Sequence, residues 1–176
     1  MVFVIYSIIA VFVFGLDMLT KYLAVKTNVN LIVIPNFLKF KLSYNTGAAF
    51  SFLGDKPWAI KVFAIFTILV LIGIITLMVF AILKKKRVSK WFAVALSLVF
   101  GGALGNLVDR LWLKKVRDFI FVFYNTNIFP AIFNVADIAL VVGVIMICVY
   151  LLFLDKDAVF RFKKVEQNNG KEDNNG

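Results

Sequence analysis

The chain has 176 residues, 62% of them hydrophobic, a mean hydropathy of +0.92 and a formal net charge of +10. A soluble domain of this length could not bury so much apolar surface, so the composition predicts a membrane protein. The sequence contains no histidine and one cysteine, Cys148, which excludes Ser-His-Asp triads, Cys-His pairs, histidine-built zinc sites and an intrachain disulfide.

Four apolar stretches are each long enough to cross a bilayer as a helix of about 20 residues. They cover residues 2–24, 58–83, 91–111 and 132–154. Lipid offers no hydrogen-bond partners to open strands, so we expect all four to be α-helices. The first stretch has no basic residue before Asp17 and no small-residue cleavage pattern, and we expect it to be retained as a span rather than removed as a signal peptide.

The basic residues indicate how the spans are oriented. An even number of spans places both termini and the 84–90 loop on one side, and this loop carries five Lys/Arg in seven residues. Because such density is typical of cytoplasmic loops, we predict a cytoplasmic N terminus, loop and tail. The tail, 155–176, is basic and then polar, and we expect it to be disordered. Charges at span ends suit lipid headgroups, so we expect no nucleic-acid partner.

Strand patterns occur in the two predicted outer loops, 25–57 and 112–131. The segment "KFKLSY" at 39–44 alternates polar and apolar residues, and "AAFSFL" at 48–53 could return as a second strand after the turn "NTG". The segment "VRDFIFVFY" at 116–124 is β-branched and aromatic. The fold class we predict is an all-α polytopic membrane protein with four transmembrane helices and a small extracytoplasmic β-sheet whose apolar face points toward lipid.

Three polar residues on different spans are predicted to lie at one depth in the membrane. With a rise of about 1.5 Å per residue, Asp17 and Asn106 each lie about 22 Å from the inner face of a hydrocarbon core about 30 Å thick. Asp137 lies about 8 Å below the outer face. These depths coincide, and we therefore predict a polar pocket just under the outer surface.

Spacing within the first and third spans predicts which polar side chains are neighbours. Asp17 and Lys21 are four residues apart on one helix face, where we expect a structural ion pair. Asn106, Asp109 and Arg110 lie three and four residues apart, and we expect Asp109 to pair locally with Arg110.

Asp137 is the one charge in the fourth span, where an aspartate costs roughly 2.5–3.5 kcal/mol on insertion scales. One explanation is a structural ion pair with Lys21 or Arg110. The other is catalysis, because two carboxylates at one site share a proton and can activate water without histidine. Asn134 shares a helix face with Asp137, and Asp118 could reach the pocket mouth from the outer loop. Spacing alone leaves open which two aspartates form such a pair.

Five short motifs in order match a known family. They are "DMLTK" at 17–21, "NTGAAFS" at 45–51, "GGALGNLVDRL" at 101–111, "VRDF" at 116–119 and "FNVADIAL" at 133–140. Over 1–154, which we take as one membrane domain, the chain resembles the bacterial lipoprotein signal peptidase (signal peptidase II), a family of aspartic membrane peptidases. Within these motifs Arg117 falls at a variable position of the family.

The resemblance implies hydrolysis of the peptide bond before the diacylglyceryl-modified lipobox cysteine of a prolipoprotein, which releases the signal peptide. By the same resemblance Asp118 and Asp137 are the catalytic dyad, and the site is lined by Asn45, Gly47, Asn106, Arg110 and Asn134. We expect structural roles for Asp17, Lys21 and Asp109, and a surface sheet that cradles the substrate. We further expect a monomer in the bacterial cytoplasmic membrane, active near the outer leaflet, with water as the nucleophile and no metal or organic cofactor.

The alternative function is a small intramembrane ion or proton transporter, whose carboxylates would relay protons. Such a protein needs polar residues through the whole bilayer. The inner halves of spans three and four, "WFAVALSLVF" and "IMICVYLLFL", are almost entirely apolar, so the sequence favours the peptidase.

Overall fold

A computed structural model describes residues 2–46, 58–84, 88–125 and 131–154 of the protein. Its elements in chain order are α1 (Val2–Lys26), β1 (Asn30–Ile34), β2 (Leu38–Asn45), α2 (Ala59–Leu83), α3 (Lys90–Trp112), β3 (Val116–Val122), β4 (Ala131–Phe133) and α4 (Val135–Val149), which continues as a π-helical turn over Tyr150–Leu154. Within these ranges four helices are long and apolar enough to cross a membrane. The predicted architecture of four membrane-length helices and a small β-sheet is confirmed.

Helix α3 lies in the middle of the bundle and packs against α1, α2 and α4. Its glycines permit this close approach. A Cβ on Gly101 would lie 2.6 Å from the carbonyl oxygen of Ala10 in α1, and a Cβ on Gly102 would lie 2.6 Å from that of Ala136 in α4. Both distances are too short for a carbon atom, so the helices could not keep this spacing with larger residues. Most of α3 is buried, whereas large apolar side chains on the other three helices are exposed, as lipid-facing residues are.

The strands form one antiparallel sheet in the order β1-β2-β3-β4. Strand β3 is central to the site because one neighbour, β2, comes from the loop between α1 and α2, and the other, β4, comes from the loop between α3 and α4. Ser43 of β2 lies opposite Asp118, and Phe133 of β4 lies opposite Ile120. The register of β2 shifts between Phe40 and Ser43, so a bulge lies directly beside Asp118.

Strands predicted at 39–44 and 116–124 agree with β2 and β3. The expected second strand at 48–53 and the tail at 155–176 lie outside the described residues. The strand that pairs with the other edge of β2 is β1, which sequence analysis did not assign.

The predicted start of the fourth span at residue 132 is wrong. Ala131–Phe133 pair with β3 as strand β4, and helix α4 begins at Val135. The boundary has a local cause: Asn134 is extended, and its side-chain oxygen accepts a hydrogen bond from the backbone N–H of Asp137. Asp137 therefore lies in the first turn of α4 rather than one and a half turns inside the helix.

Candidate active site

The start of α4 orients Asp137 through a capping box. Asn134 Oδ1 accepts from the Asp137 backbone N–H at 3.0 Å, and Asp137 Oδ2 accepts from the Asn134 backbone N–H at 3.1 Å. This reciprocal pair satisfies two backbone donors at the helix N-terminus, where the helix dipole favours negative charge. The Asp137 carboxylate is thus held at the first turn of α4 and remains partly exposed.

The Asn134 side chain also connects α4 to β3. Its Nδ2 donates to Asp118 Oδ1 at 2.7 Å and to the carbonyl oxygen of Arg117 at 3.3 Å. The other carboxylate oxygen, Asp118 Oδ2, accepts from Asn45 Nδ2 of β2 at 3.1 Å. One asparagine therefore contacts both candidate catalytic residues, with its side-chain amide on Asp118 and its backbone N–H on Asp137.

Asn106 of α3 links the same site to α1. Its Nδ2 donates to Asp137 Oδ1 at 2.8 Å, while its Oδ1 accepts from Lys21 Nζ at 3.0 Å and from Asn134 Nδ2 at 3.1 Å. Lys21 carries only donors, so the Asn106 oxygen must face it, and this requires the amide N–H₂ to face Asp137. The orientation of Asn106 is therefore set by the lysine.

Beneath this network lies a buried ionic cluster. Lys21 Nζ lies 2.7 Å from Asp17 Oδ2 and 3.3 Å from Asp109 Oδ2, and all three side chains are 0% exposed. Asp109 also pairs with Arg117, whose Nη2 lies 2.5 Å from Asp109 Oδ1. Asp17 Oδ1 accepts from the Ala136 backbone N–H at 2.9 Å, so α1 also contacts the first turn of α4.

The expected Asp17–Lys21 pair is present, but the expected local pair of Asp109 with Arg110 is wrong, because Asp109 is held by Lys21 and Arg117. Asp137 likewise makes no salt bridge with Lys21 or Arg110 in the described part of the chain. It accepts from asparagine and backbone donors instead.

Burial and a neighbouring charge determine the acidity of Asp118. The residue is 2% exposed, and this burial raises its pKa from 3.8 to about 7, with the charge of Asp137 adding to the increase. The amides of Asn45 and Asn134 and the charge of Lys21 act in the opposite direction. Asp118 can therefore retain a proton near neutral pH, which an ordinary surface aspartate cannot.

Arg110 lies on α3 with its guanidinium 6.0 Å from the centre of the Phe63 ring of α2. Its charge interacts with those of Asp137, Asp118 and Asp109. Its buried Nε has no hydrogen-bond partner among the described residues, so this donor remains available. Gly47, also expected at the site, lies outside the described residues.

Arg117 and the Ala136 backbone are the contacts that sequence analysis did not anticipate. The need for Arg117 follows from the balance of charges: Asp17 and Asp109 are two buried aspartates beside the single lysine Lys21, so a second cation is required. No sequence pattern identifies the Ala136 N–H, because any residue supplies that group.

The chain matches known proteins along most of its length. The family model described as "Signal peptidase (SPase) II" matches residues 9–153. The chain is 44% identical over 161 residues to a lipoprotein signal peptidase of Pseudomonas aeruginosa, covering 89% of this chain and 88% of the relative. A lipoprotein signal peptidase of Pseudomonas putida is 46% identical over 140 residues, covering 77% and 73%. Two solved structures of a bacterial membrane enzyme are each 39% identical to this chain, with TM-scores of 0.70 and 0.67. The matched region covers 84% of this chain in both comparisons, and 87% and 92% of the respective solved chains.

Proposed function

This chain belongs to the signal peptidase II family, and from that premise we propose that it is an aspartic endopeptidase of the bacterial cytoplasmic membrane. It cleaves prolipoproteins before a lipobox cysteine that carries diacylglycerol, with Asp118 and Asp137 as its catalytic residues. Family membership gives the peptidase activity and the multi-pass membrane location. The transporter alternative has no counterpart among these relatives.

The observation that carries the aspartic mechanism is the link between the two carboxylates. Asn134 donates to Asp118 from its side chain and to Asp137 from its backbone, so both acids come to one place from different elements. Two carboxylates in such an arrangement share one proton, because two neighbouring negative charges repel each other. Together with Asn106, the same asparagine would orient the pair for a common water molecule.

Asp118 is the better position for the shared proton. It is almost fully buried and its pKa is raised, whereas Asp137 is partly exposed and lies at the N-terminus of a helix. Asp137 also accepts hydrogen bonds on both oxygens, from Asn106 and from the Asn134 backbone, which suits an ionised carboxylate. We therefore assign Asp137 as the general base and Asp118 as the general acid.

In the reaction we propose, Asp137 takes a proton from water as the water oxygen attacks the scissile carbonyl carbon. Asp118 gives its proton to the carbonyl oxygen, so a neutral tetrahedral diol forms instead of an oxyanion. The C–N bond then breaks as Asp137 returns its proton to the leaving nitrogen, and Asp118 recovers a proton from the diol. Both residues return to their starting states and one water molecule is consumed.

The position of the site in the bundle suits a lipidated substrate. Asp118 lies in the sheet and Asp137 in the first turn of α4, so the dyad lies at one end of the helices rather than at mid-bundle. At the outer end, a modified cysteine could present its peptide bond while its acyl chains remain in lipid. The N terminus and tail would then be cytoplasmic, and we propose that the protein acts as a monomer.

The test uses purified protein with a diacylglyceryl-modified precursor and the same precursor without lipid. We expect cleavage of the lipidated form only, and no cleavage by Asp137→Asn. Asp173→Asn, beyond the region that matches the family, is the matched control and should cleave normally. Full activity of Asp137→Asn would refute the mechanism, equal cleavage of both precursors would refute the substrate assignment, and binding without a released peptide would refute the activity.

A further inference from the structure

Arg117 precedes Asp118 in β3, and its contacts fasten this strand to α3. Its backbone N–H donates to Asp109 Oδ2 at 3.0 Å, and its Nε donates to Asp109 Oδ1 at 3.1 Å. With the Nη2 contact, Asp109 therefore binds Arg117 through both main chain and side chain. The carbonyl oxygen of Arg117 accepts from Asn134, which caps α4, so Arg117 is held on both sides of its Cα.

This attachment matters because the sheet is irregular where Asp118 lies. The β2–β3 register shifts between Phe40 and Ser43, and Ser43 is the residue opposite Asp118. The backbone N–H of Leu42, within the bulge, bonds to the carbonyl oxygen of Val29 rather than to β3. A bulge weakens the ladder locally, so strand pairing alone holds this part of β3 less firmly than a regular ladder would.

Charge balance gives Arg117 a second effect. Asp17, Lys21 and Asp109 are fully buried and together carry one net negative charge when ionised. Arg117, with its side chain 17% exposed, neutralises the cluster. Its removal would leave Asp109 to share a single lysine with Asp17, and an incompletely paired buried carboxylate is strongly unfavourable.

We propose that Arg117 is a positioning residue, which fixes the position of Asp118 relative to Asp137 through its hydrogen bonds to Asp109. The inference rests on the proposed peptidase function and extends it to a residue outside the catalytic pair. Arg117 acts on the dyad rather than on the substrate, so its loss should reduce kcat and leave KM nearly unchanged. A displacement of about 1 Å in such a site is enough to lower the rate by roughly 100-fold.

The experiment compares Arg117→Leu and Arg117→Lys with the wild type on the lipidated precursor, with rates expressed per folded molecule. We expect Arg117→Leu to lower kcat by ~10- to 100-fold with KM within about twofold of wild type. Lysine retains the charge but not the planar pair of donors, so Arg117→Lys should recover part of the loss. Lys171→Gln removes the same charge beyond the region that matches the family and should leave both constants unchanged.

A wild-type kcat in folded Arg117→Leu, even with a lower melting temperature, would show that Arg117 is only structural and overturn the proposal. A raised KM with an unchanged kcat would overturn it as well, because the residue would then act on the substrate. If Arg117→Leu does not fold, Arg117→Lys decides, and a wild-type kcat there refutes the need for the paired donors. Failure of the wild type to cleave any precursor refutes the proposed function itself. The wild-type rate therefore distinguishes failure of the function from failure of the inference about Arg117.

Discussion

Replacing Asp118 with asparagine should abolish cleavage and also make stability less sensitive to pH. The pKa of Asp118 rises from 3.8 to about 7 in the folded protein, chiefly because the carboxyl is buried. The folded state therefore holds this proton more tightly than the unfolded state. The free energy of unfolding consequently falls as the pH rises from 3.8 toward 7. Above about pH 7 the contribution of this proton to stability is lost completely.

The size of this effect follows from the shift. A change of about three pKa units corresponds to roughly 4 kcal/mol of unfolding free energy between acid and alkaline pH, of which about 2.5 kcal/mol falls between pH 5 and pH 8. An asparagine side chain does not ionise, so the Asp118→Asn variant lacks this decline. The variant has a cost of its own, because its N–H₂ group must face one of the two amides that now donate to Asp118, a mismatch of about 1–3 kcal/mol.

The assay measures unfolding free energy in detergent from pH 5 to pH 8 for the wild type and Asp118→Asn. We expect the unfolding free energy of the wild type to fall by about 2–3 kcal/mol more than that of the variant between pH 5 and pH 8. Lys21, Arg110 and Asp137, whose charges act on Asp118, are present in both proteins, so the difference between the two slopes reports on the Asp118 carboxyl. Equal slopes in the two proteins, or a steeper slope in the variant, would refute the argument that burial raises the pKa of Asp118.

Three further predictions address the acid, the bridging asparagine and the helix contacts. The cleavage rate should fall as the pH rises through about 7, because Asp118 then loses the proton that it donates; a rate that stays constant to pH 9 would contradict this role. Asn134→Ala should lower kcat by ~100-fold and stability by about 1–2 kcal/mol, measured by steady-state kinetics and detergent unfolding, since it removes a helix cap and the donor to Asp118; near-normal kinetics would argue against the bridge. Gly105→Ala should destabilise the protein by ~1–3 kcal/mol because its Cβ would overlap Asp17 Oδ2, whereas Gly73→Ala, with nothing within 4 Å of its Cβ, should stay within about 1 kcal/mol of wild type; equal melting temperatures would refute the close-packing argument.

Much of the architecture could be predicted because the bilayer restricts what a backbone can do. A hydrophobic stretch of membrane length must be helical, so the spans followed from composition. The depth arithmetic grouped Asp17, Asn106 and Asp137, and hydrogen bonds through Lys21 and Ala136 do connect them. The depth predicted for Asp137 was counted from residue 132, however, and α4 begins at Val135.

The choice of Asp118 as the partner of Asp137 came from family resemblance and not from spacing. Asp118 lies on a strand whose position depends on β2 and β4, and those pairings join residues far apart in sequence. Helical arithmetic cannot predict such contacts. Strand β1 was missed for a related reason: all five of its residues are exposed, so it lacks the alternation that marks a half-buried strand.

The error at Asp109 has a simple geometric cause. Neighbouring residues on a helix do not face each other, so Asp109 and Arg110 point in different directions. Asp109 instead meets Arg117, which the chain brings back after α3 ends at Trp112. The fourth span was predicted to start too early because residues 131–133 are as apolar as a span, although they belong to the sheet.

The central claim is that Asp118 and Asp137 act as one catalytic unit. The most direct measurement is the rate of precursor cleavage by Asp118→Asn, by Asp137→Asn and by the double variant, each at equal folded concentration. Residues that act together lose function together, so we expect each single variant to fall by at least ~1,000-fold and the double variant to be no slower than either. Losses that multiply in the double variant, or a single variant that retains appreciable cleavage, would contradict the claim.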